Sequence, residues 1–299
     1  MDYYLGIITV ATIFTVVSQS YNLILGYAGQ FHLGHVGFFG IGAYTYALLT
    51  VKAGWPIFLS ILLAGIVTGI FGILLGKISL PFKGHYLVIV SYGFNAILEG
   101  IELNWTSLTR GAQGVLGVPR PEIFGYSLYD PISFMLFVLF VAGICHYIMY
   151  RIVKSPYGLL LEAVREDEIA VETIGRSTVR TKIETMVVSA FFVGIAGSLF
   201  AMYLSIVVPK DYGLNTVIFV LLMLLLGGRG SFLGGGIIGP FLLYLIFEPL
   251  RFLDLPDSMI GSLRMLIYAL LFIGIMLYRP QGIMGRKALQ IKGIQEDRT

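Results

Sequence analysis

Apolar runs of near-constant length, separated by short polar or charged turns, dominate the 299-residue chain. Pro56 to Gly76, Ile132 to Tyr150 and Leu263 to Tyr278 contain hardly an ionised side chain. Each approaches the ~20 residues that cross a hydrocarbon core as a helix. The pattern predicts spans near residues 4–26, 33–52, 56–78, 84–103, 131–151, 183–206, 214–229, 233–251 and 262–278. The expected fold is all-α, a polytopic transmembrane helix bundle of about nine spans forming a single domain over residues 1–299. Gly34, Gly37, Gly40 and Gly42 crowd the first half of the second span, so a broken or re-entrant helix is expected near residues 30–44. Two stretches depart from hydrocarbon-like composition: a Gly- and Pro-rich loop over 104–130, and a charged loop over 154–182.

Composition agrees with this pattern. Hydrophobic residues make up 57% of the chain and charged ones 12%, against roughly a quarter charged in soluble domains, so a soluble fold has no means of hiding the apolar surface. The 37 glycines suit membrane helices, where small residues let backbones approach; Gly65-x-x-x-Gly69, Gly72-x-x-x-Gly76 and Gly235-x-x-x-Gly239 read as such packing faces. The single cysteine, Cys145, excludes an intrachain disulfide and a cysteine zinc framework. A net charge of +3, carried beside hydrophobic segments, argues against nucleic acid and reports topology. Arg151, Lys154, Arg165, Arg176, Arg180 and Lys182 place the 154–182 loop in the cytoplasm, and Arg279, Arg286, Lys287, Lys292 and Arg298 place the tail there too. Counting back over five spans puts the N-terminus outside. The first segment lacks a basic n-region and a cleavage site and is expected to be a retained span. Lys52, Arg110, Arg120, Lys210, Arg251 and Arg264 dissent by falling on the external side.

Polar side chains at membrane depth are the candidate functional residues, because their cost makes them face a cavity or another helix. Gln19, Asn22, Gln30, His32 and His35 cluster around the first glycine-rich junction. They either line a translocation path or hydrogen-bond between helices. His32 and His35 supply only two donors, too few for a metal site. Asn95, Glu99 and Glu102 lie toward the outer end of the fourth span, where a carboxylate is either a proton, cation or amine contact or a hydrated group; hydration is the simpler reading, and it also fits Glu248, Asp254 and Asp257. Residues 158–175 read as one amphipathic helix closed by Gly175, with Leu161, Val164, Ile169, Ala170 and Ile174 apolar and Glu162, Arg165, Glu166, Asp167, Glu168 and Glu172 polar. Such a stripe needs a protein surface to cover. Leu25 to Gly34 is echoed by Leu226 to Gly234 in its Gly and Phe placement, as a repeat or by chance between short glycine-rich junctions. A phosphate-binding Gly-x-x-x-x-Gly-Lys-Ser/Thr is absent, because Gly72-Ile73-Leu74-Leu75-Gly76-Lys77 has the wrong spacing. Energy then comes from partners or an ion gradient. Neither Gly-x-Ser-x-Gly nor His-Glu-x-x-His occurs, which argues against an enzyme.

Gly29-Gln30-Phe31-His32-Leu33-Gly34-His35, followed by Phe38-Phe39-Gly40-Ile41-Gly42-Ala43-Tyr44, resembles the N-terminal signature of LivM-type branched-chain amino acid permeases. His85 to Phe94, Asn104 to Pro121, Ser155 to Val171 with Gly175, and Arg279 to Gly285 resemble further segments of that family in the same order. His32 stands where the family commonly has serine, and Arg110 interrupts a loop of glycines and small polar residues. The resemblance implies an ABC importer permease in a bacterial or archaeal plasma (inner) membrane. It would be paired with a second, related permease, two cytoplasmic ATPase subunits and an extracytoplasmic binding protein delivering leucine, isoleucine or valine. Cofactors are expected only on the partners, as ATP and Mg. The resemblance makes 154–182 the coupling loop, with Glu162, Arg165, Glu166, Asp167, Ala170, Val171 and Gly175 at the ATPase; of the Glu-Ala-Ala-x-x-x-Gly pattern, Ala170 sits beside Ile169 and Val171, and Gly175 is kept. Related permeases serving urea or other small amides leave the substrate open, and an ion-coupled secondary transporter using Glu99 or Glu102 is the alternative from another class.

Overall fold

In hydrocarbon each backbone N–H and C=O needs an internal partner, which a long apolar segment provides for itself only as a helix. A computed structural model describes residues 2–82, 84–123, 126–247, 257–278 and 281–285, and a helix stands at each of the apolar segments. In order these are α1 (Asp2–Asn22), α2 (His35–Ala47), α3 (Ile57–Ser79) and α4 (His85–Asn104); the short α5 (Thr106–Thr109); and α6 (Pro131–Lys154). There follow α7 (Pro156–Glu166), α8 (Glu168–Thr173), α9 (Thr178–Leu204), α10 (Leu214–Gly227), α11 (Gly239–Phe247) and α12 (Asp257–Tyr278). Single π-helical turns, Leu23–Tyr27, Leu48–Lys52 and Gly234–Ile238, extend α1 and α2 and lead into α11. Among the described residues six helices are long and apolar enough to cross a membrane: Asp2–Tyr27, Ile57–Ser79, His85–Asn104, Pro131–Lys154, Thr178–Leu204 and Pro209–Gly227.

One local departure from the expected pattern has a physical reason. The stretch expected to break near residues 30–44 has its irregular backbone earlier, over 28–34, and runs as one α-helix from His35. The glycines of α2 serve packing instead. A Cβ on Gly37 would press on Leu98 and Asn95 of α4, and one on Gly42 would collide with the Gly194 backbone of α9. The 104–130 loop, long enough for a small structured element, holds the short antiparallel ladder of β2 (Glu122–Ile123) with β3 (Tyr126–Ser127), and its β1 (Val115–Leu116) pairs with β4 (Ile206–Val207) beyond it.

α1 occupies the middle, touching α6, α9, α10 and α11, and nearly every residue from Thr9 to Asn22 is buried. The glycine face of α3 lies on α9, with Gly65 against Phe191 and Gly72 against Ala190. The perimeter stays apolar: Ile66 and Ile70 of α3, Ile89 and Ile97 of α4, and Leu136 and Phe140 of α6 are exposed. An exterior more apolar than its polar-lined core is what a lipid surround requires.

α6 and α9 separate two ends, the 24 residues of α6 rising ~36 Å. At the loop end, β1–β4 pairing ties residues 115–116 to 206–207, and Lys52 Nζ donates to the carbonyls of Ser107 and Leu108 at 2.9 and 2.8 Å. Arg120 donates to the Tyr129 and Tyr203 carbonyls and lies over the Phe134 ring, 5.0 Å from its centroid. Two of the basic residues that dissent from the charge rule thus fasten loop backbone. At the opposite end sit α7, α8, the 28–34 and 228–231 junctions, and residues 281–285, whose Ile283 and Met284 N–H groups donate to the Leu226 and Gly227 carbonyls at 3.0 Å each. Glu248, Arg251 and Asp254, and Arg279, Arg286, Lys287, Lys292 and Arg298 of the tail, lie outside the described residues.

Candidate functional site

Capping chemistry builds the 154–182 loop as two helices rather than the one expected over 158–175. Ser155 Oγ accepts from the Tyr157 N–H and Pro156 fills the first helical position, starting α7. Asp167 then leaves the helical region and its Oδ1 accepts from the Ile169 and Ala170 N–H groups at 2.9 and 3.1 Å, ending α7 and starting α8. Gly175, at φ +79°, closes α8 in the left-handed conformation. The break divides the apolar stripe between two directions. Leu161, Val164 and Val171 are buried on the bundle, whereas Ile169 and Ile174 are 74% and 75% exposed, with Ala170 and Gly175 exposed beside them.

The bundle holds this loop firmly from beneath. Tyr157 Oη lies 3.0 Å from Thr185 Oγ1 and donates to the Thr181 carbonyl; burial raises its pKa and so keeps it a donor. Lys182 pairs with Glu168 at 2.5 Å, and Thr178 Oγ1 donates to Glu172. Arg165, expected among the charges that meet a partner, is held within the chain: Nη1 donates to the Gly26 carbonyl at 2.7 Å, while Nη2 and Nε engage Glu166 Oε1. Glu162 is half-buried.

Asn22 joins the two glycine-rich junctions whose sequences echo one another. Its Oδ1 accepts from the Gly230 N–H and its Nδ2 donates to the Ser231 carbonyl, both at 2.9 Å, and Ser18 Oγ donates to the Gly235 carbonyl at 2.6 Å. Above it, Tyr21 Oη donates to the His32 carbonyl at 2.5 Å, His35 Nε2 meets Ser20 Oγ at 2.9 Å, and the Tyr21 and His35 rings stack at 4.9 Å. Gln19, Asn22, Gln30, His32 and His35 are therefore all buried around one turn of chain, with His32 flanking Tyr21 edge-on. Irregular backbone over 28–34 is tolerated because protein groups satisfy it: Leu33 N–H donates to Ser91 Oγ and Gln30 N–H to the Ile24 carbonyl. Gln19 and the His32 ring nitrogens find no hydrogen-bond partner among the described residues.

A second polar group forms where α2, α4 and the segment before α10 meet. A Cβ on Gly40 would touch both Glu102 and Tyr212, and Asn95 Nδ2 donates to the Tyr212 carbonyl at 3.3 Å. Glu99 is half-buried against Gly213. Glu102, read as hydrated from its place near the span's end, is only 7% exposed, because α2's glycines bring α4's polar face against the bundle. Glu102 Oε2, Tyr44 Oη, Tyr212 Oη and Asn95 Oδ1 lack partners among the described residues. Tyr44 appeared in the sequence only as the last residue of the glycine-rich signature, and Tyr212 carried no signal beyond its aromatic type; their burial beside Glu102 comes from the fold.

A bundle of apolar-surfaced helices, with polar groups buried along its axis and a capped two-helix loop presenting an apolar patch, defines a multi-pass membrane transport protein. The family model described as branched-chain amino acid transport system / permease component matches residues 3–278. The chain belongs to that family, and is accordingly a permease component. It is 33% identical, over 96% of its own length and 71% of theirs, to the high-affinity branched-chain amino acid transport system permease proteins LivM of Salmonella typhimurium and Escherichia coli. It is 28% identical to a probable branched-chain amino acid transport permease protein LivM of Methanocaldococcus jannaschii, over 93% of this chain and 92% of that one. No solved structure matches the chain significantly.

Proposed function

We propose that the chain is one permease subunit of an ATP-driven importer for leucine, isoleucine and valine in a bacterial or archaeal inner membrane. The observation that carries the coupling part is the outward face of α8: Ile169, Ala170, Ile174 and Gly175 are exposed on a loop otherwise anchored to the bundle. A rigid element with an uncovered apolar face suits docking on an ATPase subunit, so that nucleotide-driven closure moves the spans. ATP and Mg belong to two such partners, and the chain itself holds no cofactor. A related permease completes the pathway, and an extracytoplasmic binding protein delivers the substrate.

In this reading all nine apolar helices of the single domain cross the membrane, α2 starting at His35. The tail and the α7–α8 loop face the cytoplasm, since residues 281–285 and α7 meet at one end; the 104–130 loop lies outside. Gln19, Asn22, Gln30, His32, His35, Asn95 and Glu99, with Glu102 added, line or frame the path. The test is uptake of labelled leucine, competed by isoleucine, valine and urea, in proteoliposomes holding the complete complex and its binding protein. ATP-dependent uptake that is lost in Ile169→Ser/Ile174→Ser is the expected result. Competition by urea alone would replace the substrate class.

The burial of Glu102 favours one other reading, an ion-coupled carrier with that carboxylate as the coupling site. Uptake by the purified chain alone, driven by an ion gradient and abolished in Glu102→Gln, would establish it over the first.

A further inference from the structure

A side-chain hydrogen bond runs from the coupling loop into the end of α1, and its position is informative. Arg165 reaches from the last turn of α7 to the carbonyl of Gly26, inside the π-helical turn that ends α1. Gly26 is among the last residues of this helix, whose carbonyls have no intrahelical partner, so an outside donor fits there. The stem of Arg165 lies on Gly29, at φ +70°, where a Cβ would sit 2.5 Å from Arg165 Cγ. On the far side of Gly26 is the second junction: a Cβ on Gly26 would be 2.5 Å from the Gly230 N, and one on Gly230 would be 3.2 Å from Arg165 Nη1. Asn22, one turn back, holds that same Gly230 and its neighbour Ser231. The 228–231 junction in turn is bound by residues 283–284 through the Leu226 and Gly227 carbonyls.

We propose that Arg165 is a positioning residue that transmits movement of the coupling loop to both discontinuous junctions at once, through the Gly26 carbonyl and the Asn22–Gly230 clasp. The inference rests on the ATP-driven reading above and adds the route by which force leaves the coupling loop. The connection runs through the Gly26 and Gly230 backbones and the short Asn22 side chain, which is held at both of its polar atoms, so little slack remains to absorb a displacement. Glu166 sets the direction of the guanidinium by taking Nε and Nη2, which leaves Nη1 for Gly26. A lysine has one ammonium and no fork, so it does not hold both partners in this geometry. Other attachments of the loop, through Tyr157, Glu168 and Glu172, grip α9, the helix that follows it in sequence. Arg165 grips α1, which lies at the centre of the bundle and touches α10 and α11.

The experiment uses the complete complex in proteoliposomes and reads substrate taken up per ATP hydrolysed. Arg165→Ala is expected to lower that ratio at least tenfold while ATP hydrolysis continues, with Arg165→Lys restoring little of it. Docking is followed separately by thiol-to-lysine cross-linking from Ile169→Cys in a Cys145→Ser background, and is expected to persist in Arg165→Ala. Asn22→Ala is expected to lower the ratio too, and the double variant to be no worse than the worse single one, since the two act in series. An unchanged ratio in Arg165→Ala, additive losses in the double variant, or loss of the cross-link together with hydrolysis would each overturn the proposal. Absence of ATP-dependent uptake by the unsubstituted complex would instead overturn the importer reading beneath it.

Discussion

The clasp at the α7–α8 end and the polar group around Glu102 are both buried, and both depend on glycine contacts of the α1–α2 region, yet they differ in hydrogen bonding. At the clasp, both polar atoms of the Asn22 side chain are satisfied, each by a backbone group of the second junction. Around Glu102, four oxygens on four side chains have no partner among the described residues. A satisfied buried network fixes one arrangement, whereas an unsatisfied one demands water or a visiting ligand and accommodates change. The contrast assigns rigidity to the Asn22 clasp itself and exchange to the region between α2, α4 and Tyr212.

The largest effect should come from filling the clasp. In Gly26→Val the new Cβ would overlap the Asn22 side chain at Oδ1 and crowd the Gly230 backbone N–H. Overpacking against backbone together with stranded buried donors should cost more than about 3 kcal/mol. The checks are yield and the unfolding midpoint in mixed SDS micelles; a folded variant of unaltered stability would show the clasp to be loose. Asn22→Ala comes next. It strands the Gly230 N–H and the Ser231 carbonyl without adding bulk, and should cost about 1–3 kcal/mol by the same measurement.

These two sites also show what the sequence made legible. The apolar runs located the helices because the hydrocarbon core sets segment length, and polar residues such as Asn22 and His35 stood out because their burial is costly. The echo between residues 25–34 and 226–234 pointed to two junctions but not to their contact, which spans more than 200 positions and rests on backbone groups common to every residue. The division of the 154–182 loop was written in Ser155-Pro156 and in Asp167, both capping signals. Asp167 was read as one more charge because its helix-breaking role depends on its conformation. Glu102 was misjudged for a related reason: depth along a helix is read from sequence, but the neighbour covering its side is not.

If the Glu102 region exchanges water or ligand, its carboxylate should matter for transport more than for folding. Glu102→Gln keeps size and hydrogen-bonding capacity and removes only the charge. It should shift unfolding by less than about 1 kcal/mol while lowering uptake several-fold. Equal loss of both would make Glu102 a structural residue.

The smallest effects give the sharpest comparison, because one substitution, tyrosine to phenylalanine, can be made on both sides. Tyr21 donates to the His32 carbonyl, a group held in irregular backbone with protein on every side. Its removal leaves an acceptor unmet and should cost about 1 kcal/mol. Tyr44 has no partner among the described residues and shares its surroundings with Tyr212, 6.2 Å away between ring centroids. Tyr44→Phe deletes an oxygen that the protein does not satisfy, so the change should stay within about 0.5 kcal/mol of zero. Side-by-side SDS unfolding of the two variants measures the difference directly. Equal costs would mean that Tyr44 Oη is as firmly bonded as Tyr21 Oη, with ordered water as its fixed partner, and the two regions would then differ in composition but not in rigidity.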